Sequence, residues 1–259
     1  MAYGDYLDLE ALLSAQHPRT EEHDELLFVI IHETSELWLK LCLHELGAVI
    51  AHVHDDALAP AFKMLARIGS IQTHLTQSWE TLSTMTPADY LLFRDALGSS
   101  SGLQSYQYRL LEFQLGAKDA AMIDMHRDRP EVCALLETAL RAPSLYDETL
   151  QLLARRGCAI PEDVLQRDWT LPYVANAGVE AAWLQVYRDV DRYWDLYELA
   201  EKLVDVEYHL QQWRFAHMKT VERIIGFRRG TGGTAGVAYL VQALGKGLFP
   251  ELLSLRTSM

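Results

Sequence analysis

The sequence predicts an all-α protein, a single-domain bundle of long helices, and three observations carry that prediction. Apolar residues recur at three- and four-residue steps through long stretches of the chain. Glycine and proline are sparse, 15 and 8 among 259 residues, so little interrupts those stretches. No strand hairpin and no alternation of strands with helices can be read between them.

Taken in order, Asp24 to Asp55 holds one glycine and no proline. Its apolar positions Leu27, Phe28, Ile31, Trp38, Leu39, Leu43, Leu46 and Ile50 fall on one helical face. Residues 61–83 repeat the pattern from Phe62 through Leu65, Ile68, Leu75, Trp79 and Leu82. Thr86-Pro87 reads as a helix start, with the threonine as N-cap and the proline at the first helical position. A loop, Gly98 to Gly102, precedes a helix expected over Leu103–Leu115. Pro130 and Ser144 open two shorter helices, and residues 158–178 are less regular. Val179 to Ile225 contains neither glycine nor proline, which fits one very long helix or two joined by a tight turn. Gly226 ends it, a glycine-rich segment follows, and Ala235–Leu244 is expected as the last helix. No linker or internal repeat divides the chain, so residues 1–259 read as one domain.

Charge and composition exclude several classes. Lys+Arg is 23 against Asp+Glu 36, a net charge of −13. A phosphate-backbone binder needs the opposite sign, so nucleic acid is not an expected partner. Anionic membranes are disfavoured for the same reason. No apolar run approaches the roughly 18–20 residues of a spanning helix. The opening MAYGDYLDLEALL has no basic n-region, so a secretory signal is not expected. Cys42, Cys133 and Cys158 form neither a CxxC pair nor a disulfide framework, which suits a reducing cytoplasm.

Several residues could carry chemistry. His217 shares a helix face with Leu210, Trp213, Val221 and Ile224. A histidine on an apolar stripe is more often a satisfied core residue. A neutral imidazole facing a dry slot is also what an axial haem ligand requires. His32 has Phe28 one turn before it and Glu36 one turn after. His32-Glu33 begins like a zincin motif, but the second histidine is missing. No glutamate has a histidine three residues later, so a di-iron bundle fails too. His52 and His54 point to different sides of a helix and read as solvated. Tyr90 and Arg94 lie four apart, and a guanidinium beside a phenol makes a carboxylate clamp. Gly230-Thr231-Gly232-Gly233-Thr234 is not a Walker loop. It reads as a flexible helix cap, or as a lid that closes over a small substrate.

Together these strings resemble the tryptophan 2,3-dioxygenase family over nearly the whole chain. The matching pieces, in the family's order, are Tyr3-Gly-Asp-Tyr6-Leu with Leu12-Leu-Ser-Ala-Gln16, and His23-Asp-Glu-Leu-Leu-Phe28-Val-Ile-Ile-His32 running into Glu36-Leu-Trp-Leu-Lys40. Tyr90-Leu-Leu-Phe-Arg94 comes next, then Leu97-Gly-Ser-Ser-Ser101-Gly102 and Gln107-Tyr-Arg109. The last are Trp213-Arg-Phe-Ala-His217, Val221-Glu-Arg-Ile-Ile-Gly226 and Arg229-Gly-Thr231-Gly-Gly.

The resemblance implies a helical bundle enclosing a haem b pocket, with ferrous iron for activity. It implies addition of both atoms of O2 across the indole C2=C3 bond of L-tryptophan, giving N-formyl-L-kynurenine, the first step of the kynurenine pathway of tryptophan degradation. By position, His217 is the axial iron ligand and His32 the distal residue accepting the indole N–H. Phe28 lines the indole pocket, and Arg94 and Tyr90 hold the carboxylate. Thr231 helps hold the ammonium group, and Ser101 and Gly102 lie against the haem. Tyr3 and Tyr6 belong to an N-terminal segment, residues 1–20, packing on a neighbouring subunit of a homotetramer. Leu103 and Glu33 depart from the family's usual Phe and Gln; Glu33 lies about 100° round the helix from His32. The same residues would also serve insertion of a single oxygen atom into tryptophan or a substituted tryptophan. A non-catalytic haem or indole sensor is the alternative from another class.

Overall fold

A computed structural model describes residues 1–233 and 235–259, and among them it contains thirteen α-helices and no strand. Two short helices, α1 (Tyr3–Leu7) and α2 (Leu9–Leu13), bury none of their residues. The expected long pair follows as α3 (His23–His54) and α4 (Leu58–Leu82). On α4 the buried positions Leu58, Ala61, Leu65, Ile68, Ile71, Leu75, Trp79 and Leu82 keep the three- and four-residue steps read from the sequence. That stripe packs against α3 on one side and against α11 (Trp194–Ile225) on the other, so α4 is the spine of the bundle.

Thr86 starts α5 (Pro87–Phe93) as expected: its hydroxyl accepts from the Asp89 N–H at 3.3 Å, and the Asp89 carboxylate accepts from the Thr86 N–H at 3.2 Å. Arg94–Leu97 and Gly102–Gln104 are tight 3₁₀ turns. The helix expected from Leu103 therefore begins later, as α6 (Tyr106–Leu115). Ser105 caps it by accepting from the Tyr108 N–H at 3.2 Å. Pro130 and Ser144 open α7 (Pro130–Arg141) and α8 (Leu145–Arg155). The irregular stretch holds only α9 (Glu162–Leu165).

Between Val179 and Ile225 the structure decides for two helices, α10 (Ala177–Arg188) and α11. At Asp189 the backbone leaves the helical region, with φ −133° and ψ 60°. Two aspartates within three residues, poor helix formers, lie at this break, and Tyr193 just after it is buried. After α12 (Val237–Leu244) the chain does not end in irregular structure, correcting the expectation of a last helix there: α13 (Pro250–Ser258) follows. Its start is held by Glu207 of α11, whose carboxylate accepts from the Leu248 and Phe249 N–H groups at 3.1 and 3.0 Å. That partner is remote in sequence; the local start signal is Pro250 at the first helical position, followed by Glu251 in the first turn. His54 is exposed, as expected, and places Nδ1 3.0 Å from the buried Glu148 carboxylate. Among the described residues no helix is long and apolar enough to cross a membrane. All three cysteines are free, and burial pushes the Cys42 thiol up to about 12.

Candidate active site

Four helices bring their aromatic residues to one place. α3 supplies Phe28 and His32, one turn apart, with ring centroids 4.2 Å from each other. α5 adds Tyr90 and Phe93, whose centroids lie 6.2 and 5.7 Å from Phe28. α4 adds Trp79, edge-on to His32 at 6.1 Å and stacked on His217 of α11 at 4.5 Å with 13° between planes. Trp213, one turn before His217, is 5.5 Å from it. Trp79 thus stands between the two histidines that the sequence singles out.

The two imidazoles are tuned alike. Nδ1 of His32 lies 2.7 Å from the Phe28 carbonyl oxygen. A carbonyl only accepts, so Nδ1 carries the proton of the neutral ring and Nε2 is left as an acceptor. Burial holds His32 below its ordinary 6.5, with the Phe28 carbonyl and Glu36 opposing. Burial pushes His217 down to about 4, and the nearby His32 adds to the effect. Both rings are neutral at neutral pH, which ligation or acceptance of an N–H demands.

At the mouth, the structure brings Arg94 and Tyr90 together. Burial raises the Tyr90 phenol, while the Arg94 guanidinium beside it works the other way. Arg94 Nη2 donates to the Arg229 carbonyl at 3.1 Å, so the clamp residue also holds the glycine segment. The Thr231 hydroxyl donates to the Ser100 carbonyl. A Cβ at Gly232 would lie 2.5 Å from Ser101 Cβ, which leaves room there for glycine alone. Gly236 has φ +60°, and a Cβ on it would lie 2.5 Å from the Arg228 carbonyl oxygen. The glycine segment is therefore seated on the 98–102 loop; Thr234, part of the lid reading, lies outside the described residues. Leu103 is half-buried beside Gly232. Glu33 turns away from His32, and its carboxylate accepts from Gln16 at 2.5 Å. Tyr3 and Tyr6 are each 75% exposed and are not brought to this site within one chain.

Sequence reasoning missed Trp79 and Phe93 as site residues. Trp79 follows Leu75 and precedes Leu82 in register, so it looks like any core position. Three further features bear on what the pocket could hold. The indole N–H groups of Trp79 and Trp213 and the Nε–H of Arg94 are buried donors without an acceptor among the described residues. A groove of about 460 Å³, lined by Trp79, Ala216 and Thr220 among others, runs between α4 and α11 beside His217. No cluster of three His, Cys, Asp or Glu residues is found among the described residues. A metal bound through His217 would take its other ligands from an organic group, and the aromatic walls and orphaned donors suit a flat, acid-bearing one such as haem.

An all-helical chain with two neutral histidines in one aromatic pocket, a guanidinium–phenol clamp and a glycine-rich cover has the make-up of a small-molecule enzyme. The family model described as tryptophan 2,3-dioxygenase matches residues 1–259. A tryptophan 2,3-dioxygenase of Cupriavidus necator is 57% identical over all of this chain and 88% of its own length. One of Bacillus thuringiensis is 56% identical over all of this chain and 93% of its own. One of Erythrobacter litoralis is 57% identical over all of this chain and 98% of its own. The chain belongs to the tryptophan 2,3-dioxygenase family.

Proposed function

We propose that this protein binds haem b through His217 and uses O2 to open the indole ring of L-tryptophan, giving N-formyl-L-kynurenine. The observation that carries this reading is the pair of neutral histidines on either side of Trp79, one with its free nitrogen set as an acceptor. When bound, ferrous haem supplies the activation of O2 that no side chain here provides. His217 would hold the iron, the Trp79 and Trp213 rings would flank the ligand, and Ser101 and Gly102 would lie against it.

The chain's own residues do the rest. Phe28, Tyr90 and Phe93 form a dry wall for the indole ring. His32 Nε2 accepts the indole N–H and so fixes which edge of the ring faces the reacting centre. It removes no proton, because the indole is already electron-rich at C2 and C3. Arg94 takes the carboxylate in a two-pronged contact, with the Tyr90 hydroxyl as an additional donor. Thr231, while its hydroxyl donates to the Ser100 carbonyl, keeps lone pairs that accept from the ammonium group, and the glycine segment seated there excludes water.

The assembly we infer is a homotetramer in which residues 1–20 pack on a neighbouring subunit and carry Tyr3 and Tyr6 to its pocket. That α1 and α2 bury none of their residues, and that Leu26, Ile30, Leu37 and Leu41 of α3 are exposed, support it. The three free thiols suit work in the cytoplasm. The test is a spectrum of the purified protein with ascorbate and L-tryptophan. A Soret band together with growth of formylkynurenine absorbance is the expected result; haem binding without loss of tryptophan would leave a sensor instead.

A further inference from the structure

Arg214 lies on α11 one turn before His217 and is 3% exposed. Each of its nitrogens is engaged, and the partners belong to different elements. Nε donates to the Tyr108 hydroxyl of α6 at 3.2 Å, and Nη2 to the Glu112 carboxylate of α6 at 3.1 Å. Nη1 donates to the Ala243 and Lys246 carbonyls, at 3.3 and 3.0 Å. Glu112 is itself anchored by Arg109 Nη1 at 2.5 Å, and the Tyr108 ring packs on Trp213 with centroids 5.0 Å apart.

The pair of carbonyl contacts made by Nη1 is the informative one. Helix C-termini leave carbonyls without partners, and a buried guanidinium there satisfies them and complements the helix dipole. α12 has only eight residues, too few to hold its place by propensity, so its end depends on outside partners: Gln211 Nε2 shares the Lys246 carbonyl at 3.1 Å, and Arg214 is the side chain that reaches the Ala243 carbonyl of the helix itself. The glycine segment that seats Thr231 on Ser100 hangs between the end of α11 at Gly226 and the start of α12 at Gly236. Its near end is fixed by the helix carrying His217. Its far end is fixed by whatever fixes α12. A packing role alone would need the carboxylate but not the two carbonyls beyond the loop.

We propose that Arg214 is a positioning residue for the substrate cover: its guanidinium joins the helix that carries His217 to the end of α12 and thereby sets where the glycine segment comes to rest. This rests on the reading of that segment as part of the tryptophan site. A lysine keeps the charge but cannot form the fork that reaches α6 and α12 together.

The experiment compares wild type with Arg214→Lys in the haem-loaded protein, by amide hydrogen exchange and by steady-state kinetics. Expected are exchange at 237–246 faster by about tenfold or more, with α4 and the first turns of α11 unchanged. The Soret band should not move, and KM for L-tryptophan should rise about tenfold while kcat changes less than about threefold. Faster exchange spread evenly over the bundle, or an unchanged KM, would make Arg214 a packing residue and overturn the proposal. Should the lysine variant not fold, Tyr108→Phe removes the acceptor of Nε and keeps the ring. It should show the same pattern at smaller size, and no movement in either reading would overturn the proposal. A wild-type protein that consumes no tryptophan would defeat the functional reading, and the exchange comparison would still decide whether Arg214 holds α12.

Discussion

Nδ1 of His32 is 2.7 Å from the carbonyl oxygen of Phe28, its own helix's residue one turn earlier. The helix thereby selects the tautomer: the carbonyl it leaves facing the ring can only accept, so the nitrogen facing the pocket is the unprotonated one. A distal residue that must receive an N–H is set for that task by its own backbone, whatever Glu36 does nearby.

A pH dependence follows from this. Burial keeps His32 neutral below its usual 6.5, and a protonated ring would have two donors and no acceptor. A group whose pKa is lowered in the fold gives up its contribution only as pH falls through that lowered value. kcat/KM should therefore stay level as pH drops past 6.5 and decline further down. An acid limb centred above 6.5 in the wild type, lost in His32→Ala, would contradict the assignment.

His32→Ala itself should weaken binding and slow turnover while leaving measurable activity, because orientation is lost and no base is removed. It should also lessen the penalty for 1-methyltryptophan, whose methyl group meets the imidazole. A variant that binds haem and tryptophan normally yet is wholly inactive would make His32 an obligatory base.

Arg94→Ala should collapse kcat/KM by roughly 30- to 5,000-fold, the equivalent of about 2–5 kcal/mol for one partner removed from a desolvated ion pair. Haem content should be unchanged. Because Arg94 also holds the Arg229 carbonyl, the variant should in addition expose the glycine segment to proteases. A change in kcat/KM under about threefold would reduce Arg94 to a residue that only ties down the loop.

Gly232→Ala tests the cover from the other side. Its new Cβ would lie 2.5 Å from Ser101 Cβ, so the segment must lift off the 98–102 loop. KM should rise, and limited proteolysis within 228–236 should no longer be suppressed by L-tryptophan, as it should be in wild type. Equal cutting of the wild-type protein with and without saturating tryptophan would remove the lid from the account.

The fold and the site were legible to different depths. Helical periodicity and the scarcity of glycine and proline mark α3 and α4. The buried face is continuous along α4, whereas on α3 it runs from Leu39 to Val53 and residues 26–38 are half-buried or exposed. The Thr86-Pro87 and Ser144 signals are local capping chemistry that sequence displays directly. The sequence leaves the break at Asp189 open because neither glycine nor proline marks it. α13 carries one local start signal, Pro250 at its first position, and takes the rest of its cap from Glu207, far back in the chain. His32, His217, Tyr90 and Arg94 stood out by residue type in an apolar or paired setting. Trp79 did not, because an indole between two histidines and an indole in a core have the same spacing along a helix. The tautomer of His32 was invisible until the Phe28 carbonyl was placed against it.

His217→Ala should lose haem, or bind it only weakly, and lose turnover, while the helical content stays. Full haem occupancy with normal activity in that variant would refute the ligand assignment, and absorbance at the Soret band measures it directly.

The most direct test of the central claim is the mass of the product formed from L-tryptophan under labelled O2. Insertion of both atoms across the indole double bond predicts N-formylkynurenine carrying two labelled oxygens. A product with one label, or none, would contradict the account.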